Sequence, residues 1–194
     1  MKRIIWSILV AAACTLSIQA ATIPTPTIQA IPANVAGQPG SVVGWGLALD
    51  YTATGYWVVL NDSFFTGSQI YGTYNDYIIN QFIVAGPSPE SSTVNVPFSL
   101  GSTGLGEFDI LPTSPPGTTI TGDITVDYDV FTQDPNSPTF DPGSFVTAGQ
   151  ASAPVSVNIT PEPATLGLLI AAGILGFLLR RGNATPSGSS ALPS

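Results

Sequence analysis

Between Ala21 and Thr160 the chain contains no histidine, no lysine and no arginine, and its only cysteine, Cys14, lies in an N-terminal apolar run. A Ser-His-Asp triad requires histidine, and a zinc site in this region would lack its histidine and cysteine ligands. Phosphoryl transfer would lack a cationic clamp, and nucleic-acid binding would lack the charges that neutralise phosphates. The central region therefore excludes most catalytic constellations, disulfide chemistry and a nucleic-acid partner.

Charge is segregated along the chain. Eleven of the twelve acidic residues lie between Asp50 and Asp141. On ordinary pKa values the central region carries a net charge of about −11 near neutral pH. The four basic residues lie at the two ends of the chain, as Lys2, Arg3, Arg180 and Arg181. This distribution disfavours docking of the central region on anionic lipid.

Residues 1–20 have the three parts of a secretory signal peptide, which are a basic start, an apolar run and a small residue, Ala20, at the predicted cleavage point. The apolar run from Ile4 to Ile18 is short for a bilayer, so we expect cleavage rather than a retained helix. An alternative is lipidation at Cys14, which follows three alanines that only partly resemble a lipobox. The sequence thus predicts an exported protein.

A second apolar segment, residues 164–179, contains no charged residue and is followed directly by two arginines. As a helix it would be roughly 24 Å long, which is short against a hydrocarbon core of about 30 Å, but flanking arginines can snorkel. The segment is apolar all round, which argues against a core helix with one face in water. The arginine pair predicts a single transmembrane helix with a cytoplasmic C-terminus.

The tripeptide Pro161, Glu162 and Pro163, the apolar segment and the Arg180–Arg181 pair together resemble the PEP-CTERM sorting signal. This resemblance implies that an exosortase-type membrane protease or transferase recognises residues 161–181. It also implies transient residence in the inner membrane, followed by release to the cell surface or to a secreted matrix. The polar tail of residues 182–194, which we expect to be disordered, is a departure, because family tails usually end soon after the arginines.

The region between the two targeting segments predicts β structure. Residues 21–33 are rich in proline and threonine and predict an extended stalk. Residues 34–160 show strand patterns and no helical periodicity. The clearest alternation places Ile124, Val126, Tyr128 and Val130 on one face of a strand. Seven or eight strands separated by turn residues predict an all-β fold, an antiparallel β-sandwich that is Ig-like or, alternatively, a jelly roll.

Residues 32–40 with residues 44–46, and residues 127–131 with residues 140–142, also resemble a group of PEP-CTERM proteins with a one-domain β ectodomain. That resemblance covers most of the chain. It implies no particular activity.

Glycoside hydrolysis is one carboxylate chemistry that remains open to such a domain. It needs two carboxyl groups that flank the sugar bond. Glu90 and Glu107 are the glutamates of the domain, and Asp109 lies two residues from Glu107 on the same strand face. Because solvated strand faces are commonly acidic, we place a glycosidase third among the functions considered and expect no catalytic residue.

Calcium binding is the other carboxylate chemistry. Three aspartates share one predicted strand face and two more follow in the next loop, namely Asp123, Asp127, Asp129, Asp134 and Asp141. Ca²⁺ takes six to eight oxygen ligands from such groups. The simpler interpretation, which we favour, is a solvated face followed by a turn, because the spacing matches no EF-hand loop. No cofactor other than calcium is suggested.

Aromatic residues are dense between Trp45 and Tyr77. We expect Trp45 and Trp57 to lie in the core. Tyr71, Tyr74 and Tyr77 are candidates for a surface platform that contacts sugar rings, since amphipathic aromatic side chains suit half-wet contacts. The sequence therefore favours a non-catalytic protein of the cell surface or polysaccharide matrix, with a carbohydrate-binding module as the alternative.

Overall fold

The computed structural model describes residues 23–87 and 93–162, together with the single residue Gly167. The predicted signal peptide, the predicted transmembrane helix apart from Gly167, the arginine pair and the polar tail lie outside the described residues. Within the described ranges, no helix is long and apolar enough to cross a membrane.

The described region is built from ten strands and two short 3-10 turns. The strands are β1 (Thr27–Ile31), β2 (Asn34–Gly37), β3 (Val42–Asp50), β4 (Trp57–Phe65), β5 (Gly72–Asp76), β6 (Ile83–Ala85), β7 (Thr93–Val96), β8 (Gly106–Ile110), β9 (Thr119–Phe131) and β10 (Phe145–Ile159). The 3-10 turns are Ile78–Asn80, between β5 and β6, and Pro142–Ser144, before β10. The structure therefore confirms an all-β fold in this part of the chain.

The strands form two sheets that pack face to face. The first sheet has the order β1-β3-β8-β5, and β7 pairs with the part of β3 that β8 does not reach. The second sheet has the order β2-β10-β9-β4-β6. All of these pairings are antiparallel except that of β2 with β10, which is parallel. The two-sheet sandwich predicted from the sequence is confirmed.

Residues 27–31 belong to this sandwich, whereas the sequence pattern assigns them to a stalk. They form β1, which pairs with β3, and their inward side chains Ile28 and Ala30 are buried. A strand with only two inward side chains, preceded by Pro24 and Pro26, is too short for its alternation to be separated from a proline-rich segment. The stalk prediction is therefore corrected for these five residues.

The core lies between the sheets and follows the inward positions of the long strands. In β9 the predicted inward set is confirmed, since Ile124, Val126, Tyr128 and Val130 are all buried. Trp45 of β3 is fully buried, as expected. Trp57 is only partly buried, contrary to expectation, because Val58 occupies the inward position at the start of β4.

The middle of the outer face of β3 carries the small residues Gly44, Gly46 and Ala48, and the segment after β7 lies on it. Phe98, which follows β7, packs over Gly44. A methyl group added at Gly44 would overlap the Phe98 ring and come within 2.7 Å of the carbonyl oxygen of Gly106. Glycine at this position thus allows the segment after β7 to cover the first sheet.

Candidate functional site

The predicted sorting tripeptide follows the last strand almost directly. Strand β10 ends at Ile159, and the backbone N–H of Thr160 donates to the carbonyl oxygen of Gly37 at 2.8 Å. Pro161 and Glu162 are exposed immediately after this bond. The remaining predicted sorting residues, Pro163, Arg180 and Arg181, lie outside the described residues.

The five aspartates of the calcium alternative are not gathered into one site. Asp123, Asp127 and Asp129 lie on the outer face of β9, as the alternation predicted. In the following loop, Asp134 accepts the N–H of Asn136 at 2.9 Å and Asp141 accepts the N–H of Gly143 at 2.8 Å. Among residues 23–87 and 93–162, no three acidic side chains are close enough together to hold a metal ion.

A pair of carboxyl groups that the sequence did not reveal lies between β4 and β9. Asp62 is the direct cross-strand neighbour of Asp127. In each side chain the Oδ1 atom is buried and has no hydrogen-bond partner. Burial raises the pKa of Asp62, and the charge of Asp127 raises that pKa further. This pairing depends on strand register, which a single strand pattern cannot show.

The three tyrosines proposed as a sugar platform are not exposed. Tyr77 is 8% exposed, and Tyr71 and Tyr74 are partly buried against the core. The ring centroid of Tyr74 lies 6.3 Å from that of Trp45 and 6.2 Å from that of Phe65. These side chains therefore contribute mainly to packing within the sandwich.

Tyr74 joins a buried polar network that connects the two sheets. Its hydroxyl donates to the carbonyl oxygen of Leu105 at 3.0 Å and lies 2.7 Å from the hydroxyl of Ser63. Ser63 in turn donates to the carboxylate of Asp76, which also accepts the N–H of Ile78 at 2.8 Å. Burial raises the pKa of Tyr74, so its hydroxyl stays protonated and can donate. The network satisfies polar groups that the sandwich would otherwise bury unpaired.

Glu107 and Asp109 share the outer face of the first sheet, as their spacing predicted. The side-chain amide of Asn75 donates to both, at 3.4 Å to Glu107 Oε1 and at 2.9 Å to Asp109 Oδ2. The hydroxyl of Tyr77 donates to Glu107 Oε2 and accepts the N–H of Gly101 at 2.5 Å. Glu90 lies outside the described residues. Both carboxylates of this face are thus engaged by donors of the protein itself.

Burial also changes the acidity of Tyr77. It raises the pKa of Tyr77 to about 12, and the hydrogen bond to Glu107 and the charges of Glu107 and Asp109 act in the same direction. The ring of Tyr77 stacks on that of Phe98 with centroids 6.4 Å apart and planes 6° apart. Tyr77, Phe98 and Glu107 therefore hold the segment after β7 against the first sheet.

A groove that the sequence did not reveal crosses the outer face of the second sheet, and we call it the aromatic groove. At one end is a cavity of about 250 Å³, and at the other a cavity of about 410 Å³. The first is lined by Val59, Asn61, Phe82, Asp129, Phe131, Pro135 and Phe140. The second is lined chiefly by polar groups, including Asp127 and Gln150. Because Asn61 and Asp129 line both cavities, the two adjoin.

Two irregularities of the second sheet shape this groove. The register of β4 against β9 shifts between Leu60 and Asp62, so that Asn61 lies in a β-bulge and is exposed. Phe131, at the end of β9, packs edge-on against Phe140 of the following loop, with ring centroids 5.3 Å apart. The available sequence signal was Phe131 itself, a large apolar residue next to the inward Val130 and therefore on the outer face.

The chain matches the family model of the PEP-CTERM protein-sorting motif at residues 160–182. It has no match among curated proteins.

Three solved structures are distantly similar to the chain. The solution structure of CaCohA2 from Clostridium acetobutylicum is 14% identical, with 72% of this chain and 93% of that chain covered and a TM-score of 0.34. WR4, a C. elegans MSP family member, is 7% identical, with 66% and 97% covered and a TM-score of 0.30. The crystal structure of a CaDoc0917–CaCohA2 complex gives 15% identity, with 70% and 100% covered and a TM-score of 0.30.

The match at residues 160–182 confirms the resemblance found in the sequence. It starts at Thr160, the residue that follows the last strand of the sandwich. The chain therefore carries a PEP-CTERM protein-sorting motif, preceded by a β-rich ectodomain.

Proposed function

We propose that this protein is an exported, non-catalytic component of the cell surface or of the extracellular polysaccharide matrix, sorted by its C-terminal motif. The observation that carries the proposal is the family match at residues 160–182. Such a motif implies an exported, membrane-processed cell-surface protein. The exposed Pro161 and Glu162, at the end of a complete sandwich, agree with processing at this junction.

In this proposal an N-terminal signal peptide exports the chain, and residues 164–179 hold it briefly in the inner membrane. Arg180 and Arg181 stay on the cytoplasmic side, in line with the positive-inside rule. An exosortase-type enzyme then processes the chain near Glu162. The acidic ectodomain, which has no cationic side chain, is left at the surface or in the matrix.

The strand connections favour the Ig-like form of the sandwich over a jelly roll. The chain passes between the sheets from β3 to β4 and from β8 to β9, and β9 and β10 form a hairpin. In addition, β1 pairs antiparallel with β3 in one sheet while β2 pairs parallel with β10 in the other. This is a Greek-key arrangement in which the first segment is shared between the sheets.

Carbohydrate binding is the second candidate function, and a location in the polysaccharide matrix favours it. Tyr77 is buried and Tyr71 and Tyr74 are partly buried, which favours a sugar site elsewhere on the domain. The hydrogen bonds from Asn75 and Tyr77 give Glu107 and Asp109 a structural role, and we keep the glycosidase as the third alternative.

Intact-mass analysis of the protein from the inner membrane, the cell surface and the medium tests the sorting proposal. We expect wild-type protein at the surface or in the medium to lack everything after about Pro163. A variant with alanine at 161, 162 and 163 should remain full-length in the inner membrane. The control variant Asp141→Ala changes an exposed acidic residue far from the motif and should be processed normally. Full-length wild-type protein retained in the inner membrane would contradict the proposal.

A further inference from the structure

We propose that the aromatic groove on the second sheet binds a neutral glycan chain. The inference deepens the carbohydrate-binding candidate by giving it a site and a ligand class, and it does not depend on sorting. Together the two cavities fall within the range of roughly 300–1,000 Å³ that is typical of small-ligand sites.

The aromatic end of the groove exposes apolar surface that a folded domain ordinarily covers. Phe82 is 64% exposed and Phe145 is 49% exposed, and both lie near the partly buried Phe131. The ring of Phe131 is held edge-on by Phe140 and Phe145, at centroid distances of 5.3 and 5.9 Å. Exposed aromatic side chains beside a cavity that also carries polar groups are a feature of ligand-binding grooves. A pyranose ring presents C–H groups on its faces, and these pack well on aromatic rings.

The polar end of the groove carries side chains that can form hydrogen bonds with the hydroxyl groups of a sugar. The Asn61 amide can both donate and accept hydrogen bonds, the Asp129 carboxylate accepts them, and both side chains lie where the two cavities meet. Sugar hydroxyls donate and accept at the same centre, so they can satisfy both groups. Gln150 adds a second amide on β10.

The negative charge of the groove favours neutral glycans over anionic ones. From Ala21 to Thr160 the chain has no lysine, arginine or histidine. Asp127 and Asp129 lie in the groove itself. An anionic polysaccharide would meet uncompensated repulsion there, whereas a neutral chain would not.

The groove is preformed, which lowers the entropic cost of binding. Local hydrogen bonds hold the β9–β10 loop, which carries Pro135 and Phe140. Asp141 donates its N–H to the side-chain oxygen of Gln133 at 3.0 Å, and Thr132 donates its N–H to the carbonyl oxygen of Ser144 at 3.0 Å. The bulge that exposes Asn61 is fixed by strand pairing on both sides.

A glycan fits this surface better than an extended peptide does. A peptide that adds to a sheet needs a strand edge with free backbone groups. The groove instead crosses a sheet face, where β9 is paired with β10 on one side and with β4 on the other. Its recognition groups are therefore side chains, as a sugar ring requires.

Affinity electrophoresis of the full chain in a polyoxyethylene detergent tests the proposal. Native gels would contain hydroxyethyl cellulose, glycol chitin, laminarin or xylan, with polygalacturonate as the anionic comparison. We expect at least one neutral polysaccharide to retard the protein, and calorimetry with its hexasaccharide to give the affinity. Phe82→Ala should weaken that affinity by about tenfold or more, as the loss of an aromatic anchor residue does. Asp129→Asn should weaken it as well.

The matched control is Phe64→Ala. Phe64 is an exposed phenylalanine of β4 on the same outer face, and it lines neither cavity. We expect its replacement to leave the affinity unchanged. The proposal is overturned if none of the neutral polysaccharides binds, if only polygalacturonate binds, or if the two phenylalanine variants bind alike. None of these results bears on sorting, which the intact masses decide separately.

Discussion

Asp62 of β4 and Asp127 of β9 face each other directly across the second sheet, each with one carboxylate oxygen buried and unpaired. Like charges placed opposite one another on neighbouring strands destabilise a sheet. The described domain has no basic side chain to compensate them. Protonation of one carboxyl group is therefore the simplest way to remove the repulsion between these two side chains.

We expect Asp62→Asn to stabilise the fold at pH 7. Burial, and then the neighbouring Asp127, raise the pKa of Asp62, so the folded state binds the proton more tightly than the unfolded chain does. The stability that protonation gives is complete below the ordinary aspartate pKa of about 3.9 and is lost as the pH rises through the raised value. Replacing the carboxylate should add roughly 0.5 kcal/mol to the free energy of unfolding at pH 7, measured by chemical denaturation.

The same advantage should disappear in acid. At about pH 4 the side chain of Asp62 is increasingly protonated because its pKa is raised, so the wild type and Asp62→Asn should converge in stability. Asp123→Asn, on the same face of β9 but exposed, is the control and should give a much smaller change at pH 7. A stabilisation by Asp62→Asn that is equal at both pH values would contradict the proton-linked explanation.

We expect alkaline pH to loosen the first sheet through Tyr77. The pKa of Tyr77 is raised to about 12, so its contribution to stability is complete below the ordinary tyrosine pKa of about 10 and is lost as the pH rises through 12. Tyr77→Phe should cost about 1 kcal/mol at pH 7, because Glu107 and the Gly101 N–H lose a partner. It should also reduce the loss of stability between about pH 10 and pH 12. Native tyrosines that all titrate near pH 10 by absorbance would contradict this.

We expect Gly44→Ala to destabilise the domain by about 1–3 kcal/mol, because the added methyl group overlaps the Phe98 ring. Phe98→Ala opens space for that methyl group, so the double variant should cost less than the sum of the single variants. Denaturation of all four proteins gives the coupling, which we expect to be about 0.5–3 kcal/mol. Strict additivity would show that Phe98 does not rest on Gly44.

We expect Ca²⁺ and EDTA to leave the melting temperature of the purified chain unchanged. Asp134 and Asp141 accept hydrogen bonds from backbone N–H groups of their own loop, and Asp127 lies opposite Asp62 on the neighbouring strand. A rise in melting temperature with millimolar Ca²⁺ that is abolished in Asp127→Asn would instead support the calcium alternative.

Sequence periodicity correctly predicted which side chains face the core in a long, regular strand. The inward set of β9 could be predicted because a strand presents alternate side chains to opposite faces. Strand β1 could not, since Ile28 and Ala30 are too few to show a period beside two prolines. The pattern of a single strand does not give its register against a neighbouring strand. The pairing of Asp62 with Asp127 was therefore seen only in the structure.

The burial of Tyr77 also could not be predicted from the sequence, because a local pattern does not show which distant segment covers a loop residue. Tyr77 has an amphipathic side chain, and its hydroxyl forms hydrogen bonds with Glu107 and Gly101. Phe98, which is distant in sequence, covers its ring. Likewise the aromatic groove brings Phe82 together with Phe131 and Phe140, which belong to a much later part of the chain. Long-range contacts of this kind leave no local pattern.

The hydrogen bond from Thr160 to Gly37 fixes how near the start of the sorting motif lies to the folded domain. With the sandwich ending at Ile159 and the tripeptide starting at Pro161, there is almost no tether between them. An enzyme embedded in the bilayer would then have to work with the domain resting on the lipid headgroups. Because Pro161 and Glu162 are already exposed, cleavage after them would leave the pairing of β10 with β2 intact, and the released domain would keep its last strand in place.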